Sequence, residues 1–419
     1  MRLSRFAERF GPDAGIVSLM DDLGAALHAA DPDTCMLGGG NPAHIPAVQT
    51  VFRRRMQALL DEPGRFERLL GDYAPPVGMP ELRAAIAERL AVDHGWAIGP
   101  EHVALTSGSQ SAFFALFNSL GGRHADGRLR RICFPLVPEY IGYADLMLED
   151  GALVGRLPRI EQLADGFFKY HIDFDRLQLD ADVGAVCVSR PTNPSGNVLS
   201  DAELQRLGAA CRSAGVPLII DNAYGAPFPG ILFTDTTPYW DEHVIYCLSL
   251  SKIGLPATRT GIVIGPPALV QRIGAFNAIT SLAGGSLGAG LASELIRSGE
   301  LQELSRSVVR PFYEDKMHRA VARLQAGLRG LPCRLHRPEG ALFLWLWCPG
   351  LPIDSQVLYE RLKRAGVIVV AGHHFFPGLD RRMDWPHRRE CLRITYAQDD
   401  AVVARGIDRV CEAIRAAYG

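Results

Sequence analysis

The sequence predicts an α/β protein, with a large domain on a mostly parallel central sheet and a smaller α+β domain. Three observations carry this. Short β-rich apolar runs at 131–137, 184–190, 216–221, 244–250 and 259–265 have helix-like stretches between several of them. That alternation is the texture of strands covered on both faces by crossover helices. One helix has legible ends: Ser200-Asp201-Ala202-Glu203 forms a capping box, Leu204, Leu207 and Cys211 follow at helical spacing, and Gly215 stops it. The C-terminal third then changes order. A long helical stretch near 293–327 leads to 334–347, a helix-like segment at 355–365, short runs at 367–370 and 391–395, and a last helix. We place the large domain at 46–292 and build the small one from 1–45 and 293–419.

Composition bounds the function. The chain has 419 residues, 47% hydrophobic and 21% charged, with net charge −2. A charge so near zero gives no electrostatic reason to expect nucleic acid or an anionic membrane as partner. No apolar run approaches the roughly 18 residues of a membrane span. The densest, Ala341-Leu342-Phe343-Leu344-Trp345-Leu346-Trp347, reads as a buried strand. Residues 1–10 alternate charge with apolar side chains and lack a signal-peptide core. The nine cysteines form no C-x-x-C pair, and Cys133, Cys187 and Cys247 sit inside apolar runs. They read as small buried hydrophobes in a reducing cytoplasm, ahead of disulfides or a zinc site. Lysine occupies only positions 169, 252, 316 and 363, which shortens the candidates for any lysine chemistry.

In open α/β sheets, ligands sit at the carboxyl ends of strands. Asp221 follows one apolar run, and an acid there is costly to leave unpaired. Taken alone it is a helix N-cap; the sharper reading is a buried carboxylate that meets a cationic ring nitrogen. Lys252 follows another run within Ser249-Leu250-Ser251-Lys252. It is either a snorkelling surface lysine or a Schiff-base lysine of lowered pKa. Flanking hydroxyls and Arg259, seven residues on, suit a phosphate. Thr106-Ser107-Gly108-Ser109-Gln110-Ser111 opens a helix with small residues that present N–H groups to an anion, a weak signal alone. Pro191-Thr192-Asn193-Pro194-Ser195-Gly196 is a rigid turn that fixes Asn193, although alone it reads as a surface loop.

Together these pieces resemble the fold-type-I pyridoxal-phosphate enzymes, the aspartate aminotransferase superfamily. The pieces that carry the resemblance occur in the family's order: Tyr73 with Gly78-Met79-Pro80-Glu81-Leu82-Arg83, Gly108-Ser109-Gln110, Tyr140, Asn193-Pro194-Ser195-Gly196, Asp221 with Tyr224, Ser249-x-Ser251-Lys252, Arg259 and Arg393. Further stretches narrow the resemblance to aminotransferases that work between valine and pyruvate: 37–43, 138–145, Phe168-Lys169-Tyr170-His171, 221–225 and 372–378.

The resemblance implies pyridoxal 5'-phosphate as cofactor, an amino acid and a 2-oxo acid as substrates, and a homodimer with shared active sites. It implies that Lys252 carries the cofactor and then serves as base, and that Asp221 keeps the ring nitrogen protonated. Tyr224 and Asn193 would bond the ring's phenolic oxygen, and Tyr140 would stack on the ring face, although a lone Tyr is more often a core aromatic. Ser109 and Gln110 backbone, Ser249 and Arg259 would hold the phosphate, reached also by Tyr73 of a neighbouring subunit. Arg393 would take the substrate carboxylate as a bidentate pair, with Gly40 offering backbone to it. Most arginines in so arginine-rich a chain are solvated; Arg393 stands out within Cys391-Leu392-Arg393-Ile394-Thr395. Adjacent histidines on a strand would face opposite ways and chelate one ion poorly, so His373 and His374 are taken as part of a loop near the substrate and not as a metal site. That loop has Ala371-Gly372 where many relatives have Pro-Gly.

Relatives that use aspartate or glutamate place a partner-subunit arginine about 34 residues after the cofactor lysine. Here that count leads to 277–288, and no arginine or lysine occurs between Arg272 and Arg297. A small aliphatic side chain is expected instead. A lyase or synthase on the same fold is the main alternative. A transaminase alone converts its bound cofactor to the amine form on amino donor without acceptor. A cofactor sensor fused to a DNA-binding domain would need an N-terminal winged-helix segment, and only about 40 residues precede the motifs.

Overall fold

Apolar runs bounded by turn residues become strands here, and their burial decides which sheet they join. The computed structural model describes residues 2–4, 7, 11, 16–17, 19–21, 24, 33–380 and 382–419. In chain order its strands are β1 (Cys35–Met36), β2 (Val103–Thr106), β3 (Gly122–Arg123), β4 (Leu129–Phe134), β5 (Leu153–Gly155), β6 (Arg159–Gln162), β7 (Phe167–His171), β8 (Val183–Ser189) and β9 (Leu218–Asp221). They continue as β10 (Val244–Ser249), β11 (Gly261–Ile264), β12 (Arg334–His336), β13 (Phe343–Trp347), β14 (Val367–Ile368), β15 (Val370–Ala371) and β16 (Cys391–Thr395).

The central sheet has the order β2-β11-β10-β9-β8-β4-β3, with β5 beside β4. From β5 through β4, β8 and β9 to β10 every pairing is parallel. Antiparallel β11 lies between β10 and β2. The five apolar runs of the middle of the chain all lie in this sheet, and β9, β10 and β11 are buried at every residue. The helix Asp201–Ala214 has the cap its sequence encodes. Ser200 Oγ accepts the Glu203 N–H at 3.2 Å, Glu203 Oε2 accepts the Ser200 N–H at 3.1 Å, and Gly215 ends the helix at φ 67°.

The second sheet has the order β15-β16-β13-β12-β7-β6. Its hairpin β6–β7 comes from residues 159–171, within the stretch assigned to the large domain. The sequence reading marks no strand there, because β6 (Arg159-Ile160-Glu161-Gln162) is polar and largely exposed. The hairpin is tied down by a buried ion pair: Lys169 Nζ donates to Glu339 Oε2 and to the Val198 carbonyl, and Glu339 Oε2 also accepts the Val198 N–H at 3.0 Å. This couples the second sheet to the turn that carries Asn193.

The helical stretch near 293–327 is broken. A helix at Leu287–Arg297 and a short one at Glu300–Leu304 are separated by Gly299 at φ 80°, and a π turn at Ser305–Val309 precedes the helix Arg310–Gly327. Pro311 has no N–H for the regular ladder, which accounts for a wider turn just before it. Among the described residues no helix is long and apolar enough to cross a membrane.

Candidate active site

Parallel strands point their carboxyl ends the same way, so Ser189, Asp221 and Ser249 end β8, β9 and β10 on one edge of the sheet. The helix Ser109–Leu120 starts beside them, after β2. From the second sheet β16 brings Arg393, and the loop 39–44 supplies a further wall. Between them lies a cavity of about 900 Å³. It is lined by Gly40, Ser109, Gln110, Tyr140, Asn193, Asp221, Tyr224, Ser249, Lys252, Arg259 and Arg393. Residues scattered over some 350 positions thus meet in one place. Tyr73 does not join them: it is 83% exposed and shares a shallow pocket with Arg65, Arg68 and Ser286.

Lys252 Nζ donates to the Gly40 carbonyl at 2.7 Å. Burial, then the positive charges of Arg393 and Arg259, push its ammonium down to about 8. Gly40 therefore turns its carbonyl to the lysine. Asp221 is buried, and burial pushes its carboxyl up to about 6 against the hydrogen bonds that favour the anion. Its Oδ2 accepts from Tyr143 Oη at 2.5 Å and its Oδ1 from the Ala223 N–H at 3.0 Å. Asp221 caps its own turn as well as facing the cavity.

The anion cradle requires glycine. A side chain at Gly108, which has φ 86°, would collide with the Arg259 guanidinium. One at Gly261 would stand 2.5 Å from the Gly108 carbonyl carbon and 2.6 Å from the Ser109 nitrogen. The start of the helix Ser109–Leu120 and Arg259 can therefore approach a phosphate together. Arg259 Nη1 also reaches Ser251 Oγ at 3.5 Å and the Pro256 carbonyl at 3.1 Å. Tyr140 stands edge-on to Tyr143, with ring centroids 5.3 Å apart. Gly142 leaves room for the Tyr140 ring, which a Cβ would contact closely.

Arg393 is 2% exposed. Its Nη1 donates to Asn193 Oδ1 at 2.8 Å and its Nη2 to the Gly38 carbonyl at 2.5 Å. Its guanidinium lies over Phe343, 4.2 Å from the ring centroid, and 5.1 Å from that of Phe375. Burial lowers its pKa to about 10, still far above neutral. Its buried Nε has no partner among the described residues, a donor held for a ligand oxygen. With Asn193 Oδ1 engaged by Arg393, the amide Nδ2 remains to donate toward the cavity.

This donor set fits pyridoxal phosphate: a lysine of lowered pKa, a carboxylate for a ring nitrogen, a cradle for a phosphate, and a buried guanidinium with an unused N–H. The sequence reading missed Tyr143, Phe343 and Phe375, which act through residues distant in sequence. His373 and His374 lie in a short 3-10 turn, Gly372–Phe375, where consecutive side chains are not opposed as they would be on a strand, and their rings are 3.8 Å apart. Neither lines the cavity. Burial, then the charges of His373 and Arg393, lower His374 to about 4. The loop reaches the site through Phe375.

Residues 159–413 match the family model of aminotransferase class I and II. The chain is 45% identical over 418 residues to the valine–pyruvate aminotransferase of Escherichia coli K12, covering 100% of this chain and 99% of that one. Among solved structures, a putative amino-acid aminotransferase from Psychrobacter arcticum superposes with TM-score 0.96 at 41% identity, over 100% of this chain and 99% of that one. The valine–pyruvate aminotransferase of Salmonella typhimurium gives 0.87 at 43%, over 96% and 99%.

Proposed function

The chain belongs to the class I and II aminotransferase family, and from that premise we propose that it exchanges an amino group between valine, or a similar small aliphatic amino acid, and pyruvate, giving 3-methyl-2-oxobutanoate and alanine. It is a fold-type-I, pyridoxal-phosphate-dependent aminotransferase. Bound cofactor supplies an electron sink for the pair left when the substrate Cα loses its proton.

The residues supply the rest. Lys252 carries the cofactor, and its Nζ, once free, moves the proton from the substrate Cα. A pKa near 8 leaves a useful fraction of neutral amine at physiological pH. Asp221 would hold a proton on the ring nitrogen, and Tyr224 and Asn193 would orient the ring through its phenolic oxygen. Tyr140 packs the ring face. Ser109 and Gln110 backbone, Ser249 and Arg259 bind phosphate. Arg393 binds the substrate carboxylate through the N–H groups it holds in the cavity, and the loop at Gly40 closes over that end.

The observation that carries the substrate reading is the rest of the lining. Ile16, Leu19, Met20, Met36 and Phe312 are apolar. Beyond Lys252, Arg259 and Arg393, the only lysine or arginine among the described lining residues is Lys316. Its ammonium is held by Asp400 and by the Gln398 carbonyl at 2.7 Å. Among the described lining residues a second substrate carboxylate would meet no uncommitted lysine or arginine and would be costly to bury. Valine or alanine is expected to exceed aspartate as donor by roughly a hundredfold in kcat/KM, about 3 kcal/mol. Steady-state rates with valine, alanine, 2-aminobutyrate, phenylalanine and aspartate decide it; equal efficiency for aspartate and valine contradicts the reading.

We take the enzyme to be a cytoplasmic homodimer, with 46–292 as large domain and 1–45 plus 293–419 as small domain. Tyr73, Ile279 and Leu282 are 83%, 86% and 64% exposed, and such exposed side chains suit a partner surface. In this reading Tyr73 reaches the phosphate of the neighbouring subunit. Mixing Y73F with K252A subunits should then restore activity in hybrid dimers that contain one native site. No recovery despite demonstrated subunit exchange counts against a shared site.

A further inference from the structure

Beside Asp221 lies a row of buried oxygens that the reaction as derived leaves unused. Glu139 is fully buried and does not line the cavity. Its Oε1 accepts the Ser189 N–H at 2.8 Å, and its Oε2 lies 2.5 Å from Ser189 Oγ. Ser189 Oγ lies 3.3 Å from Tyr143 Oη, which donates to Asp221 Oδ2 at 2.5 Å. Two carboxyl groups are thus joined through two hydroxyls, across three oxygen–oxygen gaps.

Counting protons constrains the state of this row. Each hydroxyl brings one proton. If both carboxyls are ionised, two protons serve three gaps, and one gap sets lone pairs against each other. One further proton fills every gap, and it must sit on one of the two acids. On Glu139 it makes all three O–H bonds point toward Asp221. On Asp221 it reverses them. The surroundings choose the first arrangement. Lys252, the cation that acts on Asp221, favours the anion there, as does the Ala223 N–H. Burial pushes Glu139 up to about 8 against the hydrogen bonds from Ser189 and the Tyr140 backbone that favour its anion, and the Asp221 charge adds to the push. The other titratable groups that face the row are Tyr143 itself and the thiols of Cys187 on β8 and Cys247 on β10, all pushed well up by burial and so neutral.

We propose that Glu139 is a positioning residue held as a neutral carboxylic acid, whose proton completes a one-way chain of donors through Ser189 and Tyr143 and keeps Asp221 the anion that faces the cofactor's ring nitrogen. The inference rests on the place given to Asp221 above. It assigns a charged residue type, at the head of Glu139-Tyr140-Ile141-Gly142-Tyr143, a role that depends on its being uncharged.

The test uses the holoenzyme. In infrared difference spectra at neutral pH, E139Q should delete the carbonyl stretch of a protonated carboxyl group; deletion of a carboxylate stretch instead overturns the proposal. The pH midpoint of the bound cofactor's visible absorption gives an independent readout. S189A interrupts the chain and should move that midpoint by about one unit or more. E139Q should move it by less than about half a unit, because the amide N–H donates in place of the acid. D221N is the control and should also move it. A midpoint that responds to D221N and not to S189A overturns the role of the chain. A midpoint indifferent to D221N removes Asp221 from the ring nitrogen, and the inference fails with it. Should E139Q not fold, S189A and D221N decide the matter alone.

Discussion

Lys252→Ala is expected to bind pyridoxal phosphate and to lose transamination by about 10⁴-fold or more, because it removes both the covalent attachment and the base. Binding survives because the phosphate cradle does not depend on the lysine: Gly108, just after β2, and Arg259 and Gly261, at the start of β11, form it. The ammonium hydrogen bond to Gly40 is lost, and the vacated space lies beside that loop. Single-turnover absorbance with valine separates the two effects. Cofactor bound without turnover is the expected result. Turnover within tenfold of the parent removes Lys252 from the chemistry.

Arg393→Ala should lower kcat/KM for amino acids by about 10³-fold, the order expected when one partner of a buried, hydrogen-bonded charge pair is removed. The guanidinium is fixed from three sides, by Asn193, by the Gly38 carbonyl and by the rings of Phe343 and Phe375. Lysine cannot reproduce a planar fork in that slot, so R393K should recover little. A primary amine without a carboxylate is the discriminating substrate. It should react at rates only several-fold apart in parent and R393A. An equal loss for the amine means that Arg393 shapes the site and does not bind carboxylate.

The parts legible in the sequence are those where a local pattern conflicts with its surroundings. An acid or a lysine directly after an apolar strand is such a conflict, and Asp221 and Lys252 both line the cavity. The capping box at Ser200 and the strand edges around β8 to β11 were legible because turn chemistry and burial period are local properties. Glu139 presented the same kind of conflict, an acid between Val137 and Ile141, but its partner Ser189 lies 50 residues away. Only the fold reveals that the two carboxyls share a row of oxygens. The β6–β7 hairpin escaped notice because pairing with β12, from far along the chain, determines it more than its own polar sequence does. How the two histidines face was not legible because a four-residue 3-10 turn has no periodic signal to read.

The proposed chemistry runs on Lys252, and the chain's lysine content makes that directly testable. Only Lys169, Lys252, Lys316 and Lys363 compete. Lys316 also lines the cavity, so proximity alone does not settle the choice. It is, however, engaged by Asp400, as Lys169 is by Glu339. Borohydride reduction of the holoenzyme fixes the cofactor to whichever lysine carries it, and peptide mapping then reads the position. The label is expected on Lys252 alone. A label on Lys316, Lys169 or Lys363 contradicts it.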